Sequence, residues 1–360
     1  MMKKSLRFHW SLSNAGDTNR AAQIKNPLST LSKSEAQLAL CQQAEQCKID
    51  SVLMAIGSGR PDPLLLSLML GQKTKKLNFL LAMRPGLISP TYFVQQVNTL
   101  SHLIEGRVHI NLVSGRSPQE LRYYGDFLSH DERYQRAEEF LDICHAFWAV
   151  EEEEVDFQGK FYQIEKGKLA LLFSAPEKSK PEIFVGGNSK LAAELAIKYA
   201  DCLWRFPDGT EASNPQIKAV LEQGKAVGLV VSLITRPTQE DALVSAQKLI
   251  SQFGDRTNKK MIKEFYQKTD SQGFQSVLSL SEPEKTDWLT PYLWTGAVPY
   301  LGSPAIALVG SYENIAKAIL EYDAIGITQF LLMGWPDIEE MTHFYNGVYP
   351  LIKDKVAHPK

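Results

Sequence analysis

IFVGGNSKLAAELA, residues 183–196, is the stretch on which the reading of this chain turns. A short apolar run stops at Gly186-Gly187, and the residues from Lys190 onward carry the 3.6-residue apolar spacing of a helix. That is a strand turning directly into a helix. Paired glycines let a backbone approach a ligand closely, and a helix N-terminus presents free N–H groups to an anion. The spacing is not that of a G-x-G-x-x-G fingerprint, and the Lys-Ser/Thr pair of a P-loop is missing. Two local readings stand. One is a tight turn with Ser189 as an ordinary N-cap; the other is an anion site made of Gly186, Gly187, Asn188 and Ser189.

The same unit recurs outward from this point. Strand-like runs occur at 6–12, 51–56, 77–83, 107–114, 182–187, 201–206, 229–236 and 329–335. Amphipathic helical stretches separate most of them, among them 34–48, 91–106, 132–148 and 313–326. Strands apolar on both sides and separated by helices indicate a parallel sheet with helices outside. Eight such units predict an α/β fold of the (β/α)₈ TIM-barrel type with insertions, in one domain spanning 1–360. A doubly wound open sheet has the same element order and is the structural alternative. One expected insertion is VDFQGKFYQI (155–164), a hairpin with Gln-Gly at its turn. The larger is 254–304, polar at first and then rich in Trp, Pro and Gly, placed where it could cover a barrel mouth as a lid.

Composition excludes several classes. A net charge of −2 with interspersed signs offers no basic footprint for nucleic acid. No apolar run approaches the roughly 20 residues of a membrane span, and MMKKSLRFHWSLS reads as a first strand rather than a signal peptide. The four cysteines form no CxxC pair, which suits reduced thiols in a cytoplasmic protein.

Other stretches carry polar groups with chemical potential. NLVSGRSPQEL (111–121) puts Asn111 and Ser114 at the end of an apolar strand, with Glu120 beyond. Buried polar groups need partners from protein or ligand. HDERYQRAEEF (130–140) opens a helix whose acids suit the helix dipole. Metal-ligand spacing is lacking there, so no metal is expected. Arg133 and Tyr134 supply a cation and a phenol within reach of a phosphate. There is no G-x-S-x-G and no Cys beside a His, which disfavours a triad hydrolase.

Taken together, LNFLLAMRPGLISPT (77–91), GRVHINLVSGRSPQEL (106–121), FLSHDERYQRAEEF (127–140), VDFQGKFYQI (155–164), FVGGNSKLAAELA (184–196), YLWTG (292–296) and IALVG (306–310) resemble one family nearly end to end. It is the bacterial-luciferase-like, flavin-dependent monooxygenases, and within them most closely the alkanesulfonate monooxygenase group. The resemblance implies a luciferase-like TIM barrel that uses FMN as FMNH₂, delivered by a separate flavin reductase. Such an enzyme oxygenates a small organic substrate with O₂ through a flavin C4a-peroxide, and commonly forms a homodimer or homotetramer. By the same resemblance the flavin phosphate falls to Gly186, Gly187, Asn188, Ser189, Arg133 and Tyr134. Ribityl or ring contacts fall to Asn111, Ser114 and Glu120, and a strained peptide behind the ring falls at Ala82-Met83.

The substrate positions depart from the sulfonate group. Its strand-two Cys is replaced by Arg60, and its strand-seven Arg-x-His by Val230-Val231-Ser232. Its late lid arginine falls at Leu301, the Tyr after strand eight at Trp335, a strand-six Trp at Phe206, and an early His near Ala15. Candidate catalytic residues are Arg60 and Trp335. Candidate substrate residues are Trp10, Arg60, Trp204, Arg205, Phe206, Ser232 and Leu301, with Arg60 and Arg205 as anchors for an anionic group. A deazaflavin-dependent hydride-transfer enzyme, or a flavin-binding protein without oxygenase chemistry, are the competing expectations.

Overall fold

The computed structural model describes residues 5–12, 33–149, 154–253, 256–282 and 286–356; position 15, where the sulfonate group's early His aligns, lies outside them. Eight strands form the barrel: β1 (Arg7–Ser11), β2 (Ser51–Met54), β3 (Asn78–Met83), β4 (Val108–Leu112), β5 (Ile183–Gly186), β6 (Cys202–Arg205), β7 (Ala226–Arg236) and β8 (Ile327–Met333). Each pairs in parallel with the next, and β8 pairs with β1. The β6–β7 ladder, Ala226 opposite Cys202 through Leu229 opposite Arg205, closes the ring and rules out the open-sheet alternative.

Among the described residues the helices longer than six residues are α1 (Lys33–Gln46), α2 (Pro63–Gly71), α3 (Pro90–Leu103), α4 (His130–Ala149), α5 (Lys190–Tyr199), α6 (Pro215–Glu222), α7 (Gln239–Phe253), α8 (Arg256–Gln267), α9 (Gln272–Leu280), α10 (Tyr312–Ala324) and α11 (Asp337–His343). Three start on the same local chemistry, a polar N-cap followed by proline. Asp62, Ser89 and Asn214 each accept first-turn N–H groups ahead of Pro63, Pro90 and Pro215.

Successive residues along each strand face opposite sides. Phe8, Trp10, Val52, Phe79, Leu81, Met83, Ile110 and Phe330 pack outward in the main core beneath the helices. Leu80, Phe184, Trp204 and Leu331 fill the barrel interior. Toward the other end of the interior, His9 is fully buried between Ser51 Oγ (2.6 Å) and Gln329 Oε1 (2.8 Å), with Asp50 3.6 Å away.

Burial pushes the His9 imidazole down to about 4, against opposing help from Asp50 and reinforced by Arg7 and His109. The fold therefore keeps this ring neutral. As pH falls from about 6.5 to about 4, the unfolded chain takes up a proton that the folded one refuses. Stability present above pH 6.5 is lost through that window, by on the order of 3 kcal/mol from this group. Urea denaturation at stepped pH checks it. His9→Gln, which has no proton to take up, should flatten that part of the profile.

β7 is 11 residues long against four in β6, so its C-terminal half overhangs. Unpaired strand backbone needs partners. A strand that the sequence pattern did not single out, Ala307–Ser311, supplies them by pairing in parallel with Ser232–Arg236. The hairpin of 155–164 forms between Val155–Gln158 and Gln163–Gly167. Its turn is held by Glu139 of α4, whose carboxylate accepts the N–H groups of Lys160, Phe161 and Tyr162. No helix among the described residues is long and apolar enough to cross a membrane.

Candidate active site

A cavity opens at the C-terminal ends of the strands, the face on which TIM barrels carry their sites. It holds about 1450 Å³ of empty space, its open mouth included. The enclosed part is about 300 Å³, at the lower end of the roughly 300–1,000 Å³ of ordinary small-molecule sites. Inward-facing residues of the strands, Ser11, Leu53, Trp204, Val230 and Leu331, line its floor and walls. Ser271, the N-cap of α9, and Gln272, Gly273 and Phe274 in its first turn line it as well.

The glycine elbow lies on this cavity, with Gly186, Gly187, Asn188 and Ser189 all in its wall. A Cβ on Gly186 would meet only Val113 Cγ1 at 3.8 Å and Asn111 Oδ1 at 3.9 Å, so that position is open. A Cβ on Gly187 would come within 2.7 Å of the Ala192 Cβ and 3.3 Å of the Tyr134 hydroxyl. The first glycine leaves space; the second lets α5 pack against the loop.

The side chains of the elbow are largely committed to the protein. Ser189 Oγ caps α5 by accepting the Ala192 N–H (3.1 Å) and lies 3.4 Å from the Tyr134 hydroxyl. Asn188 bridges to the exit of β6, donating to the Phe206 carbonyl (3.1 Å) and accepting the Phe206 N–H (3.0 Å). The donors that remain for a ligand are backbone groups. Lys190 and Leu191, at the start of α5, precede its first intrahelical bond.

Asn111, Ser114 and Glu120 also line the cavity. Asn111 Oδ1 is buried with no partner. Glu120 accepts the Ser58 N–H at 2.8 Å and lies 3.6 Å from Arg84 Nη2, tying the loops after β2 and β3 to the one after β4. Ala82 faces the cavity, whereas Met83, one residue on, points outward into the main core. The one cis peptide among the described residues is Trp335–Pro336, not Ala82–Met83.

Arg133 does not line the cavity, unlike its neighbour Tyr134. Its buried guanidinium donates to the Ser114 carbonyl (2.9 Å) and the Leu128 carbonyl (3.0 Å), and pairs with Asp270 at 2.5 Å. Asp270 lies just before α9, and nearby Thr269 donates to the Arg116 carbonyl. Arg133 thus fastens the 254–304 insertion to the barrel rim, a contact between residues 137 apart in sequence.

Of the substrate candidates, Arg60, Trp204, Arg205 and Phe206 are in the cavity wall. Trp10, Ser232, Leu301 and Trp335 are not. Trp10 faces outward and donates its indole N–H to Asp337 (2.9 Å). The Trp335 indole donates to Ser232 Oγ (3.0 Å), which in turn donates to the Pro304 carbonyl (2.6 Å). Pro304, which lines the cavity, accepts from this pair, and Leu301 and Trp335 each pack against a separate apolar cluster. Arg205 is held by Gln216 (2.6 Å), and burial lowers its pKa.

The candidates read from the sequence omit many of the lining residues, among them three with a charge or ring that bears on the chemistry. Arg84 and Arg116 both line the cavity, as does Phe274, whose ring meets Phe206 edge-on at 5.2 Å. The Arg116 guanidinium sits over Phe265 and Phe274, and desolvation lowers its pKa. A lone aromatic in a polar insertion carries no local signal of its destination. The Arg84-Pro85 pair did carry one: Arg84 comes two residues after the inward-facing Ala82, so strand alternation turns it to the same side.

The chain resembles solved structures over nearly its whole length. Riboflavin lyase, crystallised with a modified FMN and the substrate riboflavin, superposes with a TM-score of 0.77 at 19% identity, covering 99% of this chain and 94% of that one. EDTA monooxygenase from Chelativorans sp. BNC1 follows with a TM-score of 0.74 at 14% identity, over 99% and 96%. A long-chain alkane monooxygenase has a TM-score of 0.72 at 19% identity, over 100% and 94%. At these identities the likeness is one of fold. The family model described as luciferase-like monooxygenase matches residues 6–329, from the first barrel strand into the eighth, and the chain belongs to that family.

Proposed function

We propose that the protein is the oxygenase component of a two-component flavin monooxygenase, taking reduced FMN from a separate reductase and using O₂ to oxidise a small organic substrate. One observation carries the reading: an open Gly186 position beside the partnerless Asn111 Oδ1, at the N-terminus of α5, where the Lys190 and Leu191 N–H groups precede the first intrahelical bond. A phosphate fits the helix end, and a polar heterocycle fits the orphaned amide. The residues present therefore suit FMN.

In this reading the backbone at Gly186–Leu191 would hold the phosphate, with the Tyr134 hydroxyl beside it. Asn111 would hydrogen-bond the ring system, and Ala82, a small side chain in the same wall, would leave it room. Bound reduced flavin supplies the electrons that activate O₂, one oxygen atom entering the substrate and the other leaving as water. Trp204, Leu53 and Leu331 below and Phe206 and Phe274 at the side make a largely apolar chamber, which excludes water from the reaction. Arg133 acts at one remove, by holding the insertion against the rim. Arg60 is exposed at the mouth, where a substrate would pass it. Homodimer or homotetramer assembly belongs to the same proposal.

Anaerobic titration with FMN, reduced FMN and a reduced deazaflavin, followed by admission of O₂, tests it. Reduced FMN should bind most tightly, and its reoxidation on the protein should differ kinetically from that of free flavin. Preference for the deazaflavin would point to hydride transfer. Reoxidation identical to free flavin would leave a binding protein, and absence of flavin binding would sink the reading.

A further inference from the structure

The cavity wall is richer in positive charge than one cofactor phosphate uses. Arg60, Arg84, Arg116 and Arg205 line it against a single carboxylate, Glu120. A phosphate carrying about two negative charges leaves an excess of about one positive charge. The question is which arginine holds it.

Arg205 is engaged by Gln216 and the Asn188 carbonyl, and Arg116 is stacked on two phenyl rings. Arg84 differs. Its side chain is 4% exposed, and both Nε and Nη1 are buried without a hydrogen-bond partner. Those atoms carry three of the five guanidinium N–H bonds. Nη2 alone approaches an acid, Glu120 at 3.6 Å, and that carboxylate is shared with the Ser58 N–H. Tyr124 covers one face of the group, its ring centre 5.6 Å away. A buried guanidinium with open N–H bonds in a cavity wall is a site short of an acceptor.

The acceptor is not the cofactor phosphate. That cradle is at the end of β5, two strands round from β3, and neighbouring strands are about 4.8 Å apart. We propose that Arg84 is the substrate anchor, taking the carboxylate or sulfonate of an anionic organic substrate, with Arg60 beside it at the mouth. A Cβ on Gly57 would touch both Glu120 Oε1 (3.1 Å) and Arg60 Cδ (3.8 Å), which puts the Arg60 side chain next to this carboxylate. The proposal rests on the flavin reading only in assigning the β5 cradle to the cofactor.

The test is calorimetric titration of FMN-saturated protein with hexanoate, hexanesulfonate and 1-hexanol. Both anions should bind at least about tenfold more tightly than the alcohol. Arg84→Met should weaken the anions about ten- to hundredfold, the effect of losing a charged hydrogen bond, with FMN affinity unchanged. Arg84→Lys should retain part of the anion affinity and guards against a folding failure of the first variant. The anchor assignment is overturned if neither anion saturates, if hexanol binds equally well, or if Arg84→Met loses FMN affinity instead. Failure of the flavin reading looks different: FMN does not bind, and protein carrying Ser189→Asp to block the β5 cradle still shows Arg84-dependent binding of the two anions.

Discussion

Gly186→Val is expected to abolish flavin binding while leaving the barrel folded. The first atom of a side chain at this position meets only ordinary contacts, at 3.8 Å and 3.9 Å. The branched methyls of valine then occupy the space between Asn111 and the start of α5. A ligand that needs the backbone there loses at least one charge-assisted hydrogen bond and its room. An affinity loss of about 100-fold or more is the expected outcome, equivalent to about 2.7 kcal/mol. The thermal midpoint should hardly move. Gly187→Ala should behave in the opposite way, because its Cβ would collide with Ala192 at 2.7 Å and disturb the packing of α5. Ser189→Asp separates helix capping from phosphate binding. Aspartate caps a helix as well as serine, so α5 should persist, while the added negative charge repels a phosphate. Fluorescence titration with FMN, alongside thermal melts, reads all three variants. If Gly186→Val binds FMN normally, the phosphate is held elsewhere.

The second large effect is on stability. Trp204→Ala should cost about 3–5 kcal/mol, the range for removing a large buried aromatic side chain. The indole is 2% exposed, stacked on Phe184 with ring centres 5.4 Å apart and planes 11° apart, and His9 meets its face edge-on at 5.2 Å. Gly228, opposite it on β7, is a glycine because any Cβ there would enter the indole, 2.2 Å from the nearest ring carbon. Urea denaturation at neutral pH measures the loss. A double-mutant cycle makes the cause specific. Gly228→Ala should destabilise the parent strongly and cost clearly less on top of Trp204→Ala, where the indole clash is gone and only the 2.8 Å approach to Gln329 Cβ remains. Additive costs would mean that the two residues do not share this space. Trp204→Phe should cost much less, since the indole N–H has no partner to lose.

The arrangement of β-α units was legible in the sequence because it is local chemistry. Apolar runs, glycine breaks, polar caps before prolines and helical periodicity are each written within about 15 residues. The elbow at 183–196 was legible for the same reason, down to Ser189 as the cap. The substrate wall was harder. Barrel strands are apolar on both faces, so hydrophobicity hides which parity faces inward. Trp10 and Met83 look as suitable as Ser11 and Ala82, yet they lie on the outer face. Ser232 and Trp335 were out of reach for another reason: their hydrogen bonds run to the carbonyl of Pro304, from a distant insertion.

By itself, then, the sequence determined the order of strands and helices, the glycine elbow with its helix cap, and a chemistry suited to an anionic cofactor. Only the tertiary structure decided whether the sheet closes, which face of each strand looks inward, and which polar groups are already satisfied. Arg133 and Arg84 show the difference. Both are arginines near the same mouth, and their neighbours along the chain do not say which of them is already paired. Arg133 meets Asp270 across 137 residues and is used up, whereas Arg84, in the cavity wall, keeps two buried nitrogens without a hydrogen-bond partner. Pairing of that kind depends on distances between remote segments, and those exist only once the barrel has closed.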